Sequence, residues 1–423
     1  MRLLWIINGT PHDQPQQQFL NYLLRFGACS PELPRPDAVC MLFIFAVNMD
    51  GRMVAAFRDY GADVRSLNAR GPLSFTSLRA AYRVMRDFAP DIIHSQHAIA
   101  GIHARLAGAF YRLTLQLAGA RKPRAGRRGG RVRIIAEQRN ARHGLSRAAR
   151  TLETLTFAAA DLILCSSPGV ECSWFGAAAE HIDPSALQLP RRGRAGGGRA
   201  APRRHYTFFN SIDVNRFRRA TAGMDRDAER RRLGLEPGQT ALVTVASLSV
   251  QKNYPMLLRA FAAVQERLSR STAARVVLLC VGEGDQEPRV RAMIAELGLG
   301  DTVRLLGYRT DIDRILFACD IFVLASRWEG LAKALLEAMS LAMPCVVTAV
   351  EGNQDVISSG QDGLLVPSED AEALADAVAL LIADPERAAE LGRRAAGTVE
   401  RFSVDRQACR LLQIYRRLLQ HEP

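Results

Sequence analysis

The chain has 423 residues, a length for two or three domains, and its 48% hydrophobic and 23% charged content excludes a disordered or fibrous protein. Its formal net charge of +13 is unevenly divided: residues 1–220 hold 32 basic against 15 acidic residues (+17), and residues 221–423 hold 24 against 28 (−4). The basic half points to an anionic partner such as nucleic acid, a phospholipid surface or a phosphorylated substrate.

In chain order, strands are expected at Leu3–Ile7, Val39–Val47, Asp63–Leu67, Asp91–His94, Val132–Ala136, Asp161–Cys165 and Tyr206–Phe209, with helical stretches such as Leu78–Phe88 and Leu152–Ala160 between them. Leu3–Ile7 follows Arg2 as a secretory signal would, but it is shorter than the roughly 7 to 15 apolar residues a signal needs, so a cytoplasmic location is expected. The Val39–Val47 run is likewise far below the about 20 residues of a membrane-spanning helix. Residues 121–131 and 190–204 are rich in arginine, glycine and proline, have no apolar face to bury, and read as loops. They contain no aromatic residue to stack a base, which argues against nucleic acid as the partner.

The second half alternates more cleanly. Strands are expected at Ala241–Ala246, Val276–Val281, Val303–Leu306, Ile321–Ala325, Cys345–Val350 and Gly363–Val366. Between them, Met256, Leu257, Ala260, Phe261 and Val264, then Val290, Met293, Ile294 and Leu297, keep helical spacing. Alternation of this kind implies parallel sheets covered on both faces, and two such layers joined near residue 220 are more economical than one very large sheet. The eight cysteines form no C-x-x-C pair and mostly lie in apolar runs, so reduced, buried thiols are expected.

The most specific block runs from Ser326 to Met339, SRWEGLAKALLEAM, after one expected strand and into a helix. Glu329 falls in the loop and Glu337 in the first two helical turns. Gly330, Leu331 and Ala332 would then present backbone N–H groups at a helix N-terminus, a setting for phosphate, with the carboxylates beside it free to accept sugar hydroxyls. The same pattern also suits a surface helix with two solvated glutamates.

From Ala241 to about Phe402 the chain resembles the C-terminal domain of the retaining GT-B glycosyltransferases of family four, the glycosyl transferases group 1. The resemblance rests on LVTVASLSVQKNYPMLLRAF, LLCVGEGDQ, the block from VRLLGYRTD through Pro344 to TAV, and GQDGLLVPSED, in that order, with FFNSIDVNRF just upstream. It implies an α/β fold of two Rossmann-like domains facing a cleft (GT-B). An acceptor-side domain would span 1–220, a nucleotide-sugar-binding domain 221–400, and a C-terminal helix within 401–423 would pack back on the first.

The resemblance assigns Glu329 to the donor sugar, Glu337 to the ribose, the Gly330–Ala332 backbone to sugar and diphosphate, Lys252 to the departing diphosphate, and Gly307 to the base. Asn210, in the upstream signature, joins the donor set. Ser247 stands where the family usually carries an arginine, which removes half of its cationic clamp. In the first half, Gln96 falls at the family's usual histidine and His97 is next to it, which makes His97 a catalytic candidate. Glu137, Arg139 and Asn140 follow another expected strand and are acceptor-side candidates.

The function implied is a retaining sugar transfer from a UDP- or GDP-linked donor to a saccharide or lipid-linked hydroxyl acceptor. It would use no metal and no cofactor beyond the co-substrate, on the inner face of an anionic membrane. The alternatives are a same-fold nucleotide-sugar epimerase or phosphorylase, a non-catalytic member, and a basic nucleic-acid-binding protein.

Overall fold

Among the described residues, seven strands arise from the apolar runs of the first half: β1 (Arg2–Ile7), β2 (Ala38–Phe43), β3 (Asp63–Ser66), β4 (Ile92–Gln96), β5 (Arg133–Gln138), β6 (Leu162–Cys165) and β7 (His205–Thr207). They pair in parallel in the order β3-β2-β1-β4-β5-β6-β7. Six more, β8 (Thr240–Val245), β9 (Val276–Val281), β10 (Val303–Leu305), β11 (Ile321–Leu324), β12 (Cys345–Thr348) and β13 (Leu364–Val366), form a second parallel sheet in the order β10-β9-β8-β11-β12-β13. The computed structural model describes residues 1–8, 14–33, 35–45, 51–69, 73–117, 132–138, 142, 145–176, 178, 205–269 and 276–420. The arginine-rich loops 121–131 and 190–204 lie outside them.

Helices cover both faces of each sheet, which is why the central strands read as unbroken apolar runs. Leu3 to Ile7 of β1 are at most 1% exposed. Register is pinned by aspartates just ahead of strands. Asp91 accepts from Arg2 N at 2.6 Å, Asp161 from Ile134 N at 2.8 Å, and in the second sheet Asp320 from Ala241 N at 2.7 Å. Each satisfies a strand-end N–H that would otherwise go unpaired.

The chain divides into one unit of Met1–Ser211 with Val404–Pro423 and another of Ile212–Ser403. The crossing point thus precedes residue 220, because the helix Val214–Thr221 belongs to the second unit. Its Arg218 donates to Ala396 O at 3.0 Å and pairs with Glu400 at 2.5 Å. The last helix, Val404–Gln420, buries Leu411, Leu412, Ile414, Tyr415 and Leu418 in the core of the first unit with Trp5, Phe19, Tyr22 and Phe26. β4 begins one residue later than the expected Asp91–His94 run and continues to Gln96, and β2 ends at Phe43.

The cysteine expectation needs correcting. Cys29 and Cys409 form a disulfide that ties the segment after the first helix to the last one. The partners are 380 residues apart, and only the return of the last helix to the first unit brings them together. Cys40, Cys165, Cys280, Cys319 and Cys345 are buried free thiols, and Cys172 is free and exposed. Burial pushes Cys40, Cys280 and Cys319 up to about 12, so they stay protonated.

Candidate active site

In the second sheet, β8 and β11 are neighbours whose chains leave in opposite directions, β8 toward β9 and β11 toward β12. Such a switch point opens a crevice at the strands' carboxyl ends, where α/β sheets take ligands. Lys252 reaches it from the β8 side, at the end of the 3-10 turn Val250–Lys252, and Glu329 from the loop after β11. The two form an ion pair across the switch point, largely buried on both sides.

The Glu329 carboxylate is held from further directions. Ser326 Oγ donates to Oε1 at 2.6 Å, and Thr348 Oγ1 holds the Ser326 carbonyl at 2.6 Å from β12. Gln251 Nε2 lies 3.4 Å from Oε2. Three fixed donors around one carboxylate define its orientation before any ligand contact.

Glycines allow the close backbone approaches this edge requires. A Cβ on Gly282 would meet Ala246 O at 2.1 Å, and one on Gly284 would meet Leu248 O at 2.3 Å. The Gly-Glu-Gly turn after β9 therefore lies directly against the loop bearing Ser247, joined by Leu248 N to Glu283 O at 3.0 Å and Gln286 N to Leu248 O at 2.9 Å. Gly307, at φ +64°, accepts from Gly282 N at 2.9 Å, which links the loops after β8, β9 and β10. Ser247 is exposed there, 3.2 Å from the Ser249 hydroxyl.

A Cβ on Gly352 would likewise lie 2.5 Å from Gly330 O, so that glycine backs the loop carrying Glu329 and Gly330. The helix that follows, Lys333–Ser340, has Ala332 at its N-cap with no side-chain cap. Leu331 and Ala332 bury their side chains, so what this segment can offer a ligand is backbone N–H. Glu337 stands in the second turn, mostly buried, with Lys333 Nζ 3.6 Å from its Oε1. Burial raises its carboxyl above the ordinary glutamate range, and Lys333 and Arg216 oppose that shift.

The remaining candidates belong to the first unit. His97 follows β4 with φ +70°, a left-handed conformation uncommon outside glycine, and its carbonyl accepts from Gly101 N at 2.8 Å at the start of the helix Ala98–Leu117. Gln96 is fully buried and donates to Glu137 Oε2 at 2.8 Å. Glu137 is not the surface-loop residue expected. It lies inside β5, 2% exposed, with His94 Nε2 3.5 Å from Oε2 and Tyr415 OH 2.8 Å from His94 Nδ1. Pairing with Gln96 of β4 on one side and with Leu164 and Cys165 of β6 on the other carries β5 through Gln138, past the point where the sequence suggests a loop. Asn210 follows β7, and its Oδ1 is buried without a hydrogen-bond partner. Arg139 and Asn140 lie outside the described residues, as do Gly9, Thr10 and Pro11. Asn8 caps the Ala98–Leu117 helix by accepting from Ala100 N at 2.9 Å.

Sequence reasoning passed over Ser326, Gln251 and Gly352 as site-shaping residues. The first two had a usable signal, since each stands within three positions of a named candidate. Among the described residues no three His, Cys, Asp or Glu side chains are grouped to hold a metal ion, and no helix is long and apolar enough to cross a membrane.

Residues 225–398 match the family model for glycosyl transferases group 1. The chain is 28% identical over 237 residues to a putative glycosyltransferase, EpsD, of Bacillus subtilis, covering 56% of this chain and 58% of that protein. It is 31% identical over 170 residues to a UDP-Gal:alpha-D-GlcNAc-diphosphoundecaprenol alpha-1,3-galactosyltransferase of Escherichia coli, covering 40% and 43%. The chain thus spans about half the length of the curated relatives it matches. A crystal structure of Anabaena HepE in complex with UDP and glucose superposes with a TM-score of 0.72 at 18% identity, covering 96% of this chain and 97% of that one. The match to the glycosyl transferases group 1 lies within the second unit, and the fold of the chain is that of the GT-B glycosyltransferases.

Proposed function

We propose that this protein transfers a sugar, with retention at the anomeric carbon, from a nucleoside diphosphate sugar to a hydroxyl acceptor. The observation that carries the reading is the Lys252–Glu329 pair at the sheet's switch point, directly ahead of a helix start that offers backbone N–H groups and carries Glu337. Breaking the bond between C1 and the phosphate oxygen leaves negative charge on the diphosphate, and a fixed ammonium beside a helix N-terminus stabilises it. The acceptor oxygen bonds to C1 on the face the diphosphate leaves, and the acceptor proton passes to a departing phosphate oxygen. Glu329 would hold donor sugar hydroxyls, Glu337 the ribose, and Gly307 and Ser247 would border the nucleotide. Lys252 and the helix start supply the countercharge, so turnover is expected to survive chelation by EDTA.

UDP is the favoured nucleotide, because the E. coli relative is named for UDP-Gal and the Anabaena structure holds UDP. That relative is also named for a diphosphoundecaprenol acceptor, which supports a lipid-linked saccharide here. The +17 of residues 1–220 fits peripheral attachment to anionic phospholipid, each basic residue near the surface adding about 1 kcal/mol. Flotation on anionic vesicles should then be lost at high salt. The test of function is a thermal-shift panel of UDP-, GDP- and ADP-sugars, followed by transfer of labelled sugar to lipid-linked acceptors. Stabilisation by UDP-sugars together with labelled product supports the reading; no shift with any nucleotide sugar sinks it.

A further inference from the structure

Gln251 is the residue before Lys252, and it uses both its backbone and its side chain to grip the loop that carries Glu329. Arg327 N donates to Gln251 O at 2.8 Å, and Gln251 Nε2 donates to Trp328 O at 2.8 Å while lying 3.4 Å from Glu329 Oε2. Arg327 closes the junction from the other side, with Nη1 on Val250 O at 3.1 Å and Nε on Glu369 at 2.6 Å. The bonded residues Gln251 and Trp328 stand 77 positions apart in sequence, yet here the turn after β8 and the loop after β11 are laced at consecutive positions on both sides.

We infer that Gln251 is a positioning residue for the transfer site: its amide locks the Lys252 turn to the Glu329 loop, so that cation and carboxylate meet the donor in one fixed relation. The inference rests on the proposed roles of Lys252 and Glu329. Gln251 touches no reacting atom and acts through Glu329. A carboxylate displaced by an ångström loses most of the benefit of prior alignment, and the loss falls on turnover rather than on nucleotide binding.

The test is a double-mutant cycle with Gln251→Leu and Glu329→Gln, using the nucleotide sugar turned over best in the panel above. Gln251→Leu should lower kcat about tenfold, with KM for the donor and the Kd of free UDP changed less than threefold. In the Glu329→Gln background the same substitution should change kcat less than twofold. A tenfold loss that persists in that background, or an unchanged kcat for Gln251→Leu beside a depressed Glu329→Gln, overturns the inference while leaving the site reading intact. An unchanged kcat for Glu329→Gln overturns the site reading itself, and the inference with it. Should Gln251→Leu fail to fold, Gln251→Glu keeps the side-chain length and the backbone bond. It faces its carboxylate toward the Trp328 carbonyl and Glu329, and the same tenfold loss is expected; full activity in that variant again overturns the inference.

Discussion

At the carboxyl ends of β8 and β11 the chain is held by backbone against backbone. Gly282, Gly284 and Gly352 admit neighbouring carbonyls where any Cβ would collide, and Gln251 laces two loops through its own carbonyl and through its side-chain amide on a main-chain carbonyl. At the carboxyl ends of β4 and β5 the groups are held instead by buried side chains, Gln96 on Glu137, Glu137 beside His94, and His94 on Tyr415 of the last helix. The difference predicts different failures. Damage to the first edge should misplace chemistry within an intact fold, whereas damage to the second should appear as lost stability, since a buried polar group without its partner is costly wherever it sits.

The largest effect belongs to Lys252. Lys252→Ala should lower transfer by about 10²- to 10³-fold, because one preorganised countercharge at a leaving group is worth that much. The thermal midpoint should stay within a few degrees. Unchanged turnover would remove Lys252 from the mechanism.

Gly352→Ala probes the backbone contact behind Glu329 and Gly330. With Gly330 O only 2.5 Å from the new Cβ, the loop must shift, costing about 1–3 kcal/mol of stability and about tenfold in kcat. Gly397→Ala is the matched control. Its Cβ meets nothing within 4 Å in the helix Pro385–Thr398, so denaturation should show a gain of about 0.5–1 kcal/mol with unchanged kcat. Equal behaviour of the two variants would dismiss the close-approach account.

Tyr415→Phe sharpens the other side of the comparison. It removes the hydroxyl on His94 from a site where burial keeps the tyrosine neutral. Urea unfolding should report a loss of about 1–2 kcal/mol, with kcat within threefold. A large kcat loss at unchanged stability would instead bring this buried chain into the chemistry.

The smallest effect is the pH dependence at Glu337. Burial raises its carboxyl, so protonation begins at a higher pH than the about 4.3 of free glutamate. Only the ionised form accepts from both ribose hydroxyls, so UDP affinity should be full at high pH and fall as pH drops through that raised value. Titrations downward from pH 8 should show a steeper decline in the native protein than in Glu337→Gln, which keeps only the titration of the UDP phosphate. A native profile no steeper than that of Glu337→Gln contradicts the ribose assignment.

These contrasts also explain what could be read from sequence. The strand and helix alternation was legible because parallel strands buried on both faces are continuous apolar runs, as in β1, β8 and β9. The Ser326–Met339 block was legible because loop, helix start and both glutamates fall within one short stretch. Contacts between distant segments left no local pattern. Tyr415 on His94 and the Cys29–Cys409 disulfide depend on the last helix returning to the first unit, and Glu137 reads as a loop residue until Gln96 is seen beside it in register. Gln251 was hidden differently: it adjoins Lys252, but its role appears only when the loop after β11 is brought alongside.

The central claim, that this edge binds a nucleotide sugar with ribose and sugar held by separate carboxylates, is tested most directly by calorimetric titration of free UDP and a UDP-sugar into the native protein, Glu337→Ala and Glu329→Ala. Glu337→Ala should weaken both ligands about tenfold, and Glu329→Ala should weaken only the UDP-sugar, leaving free UDP within twofold of native. Equal loss of free UDP in both variants, or no UDP binding by the native protein, would contradict the account.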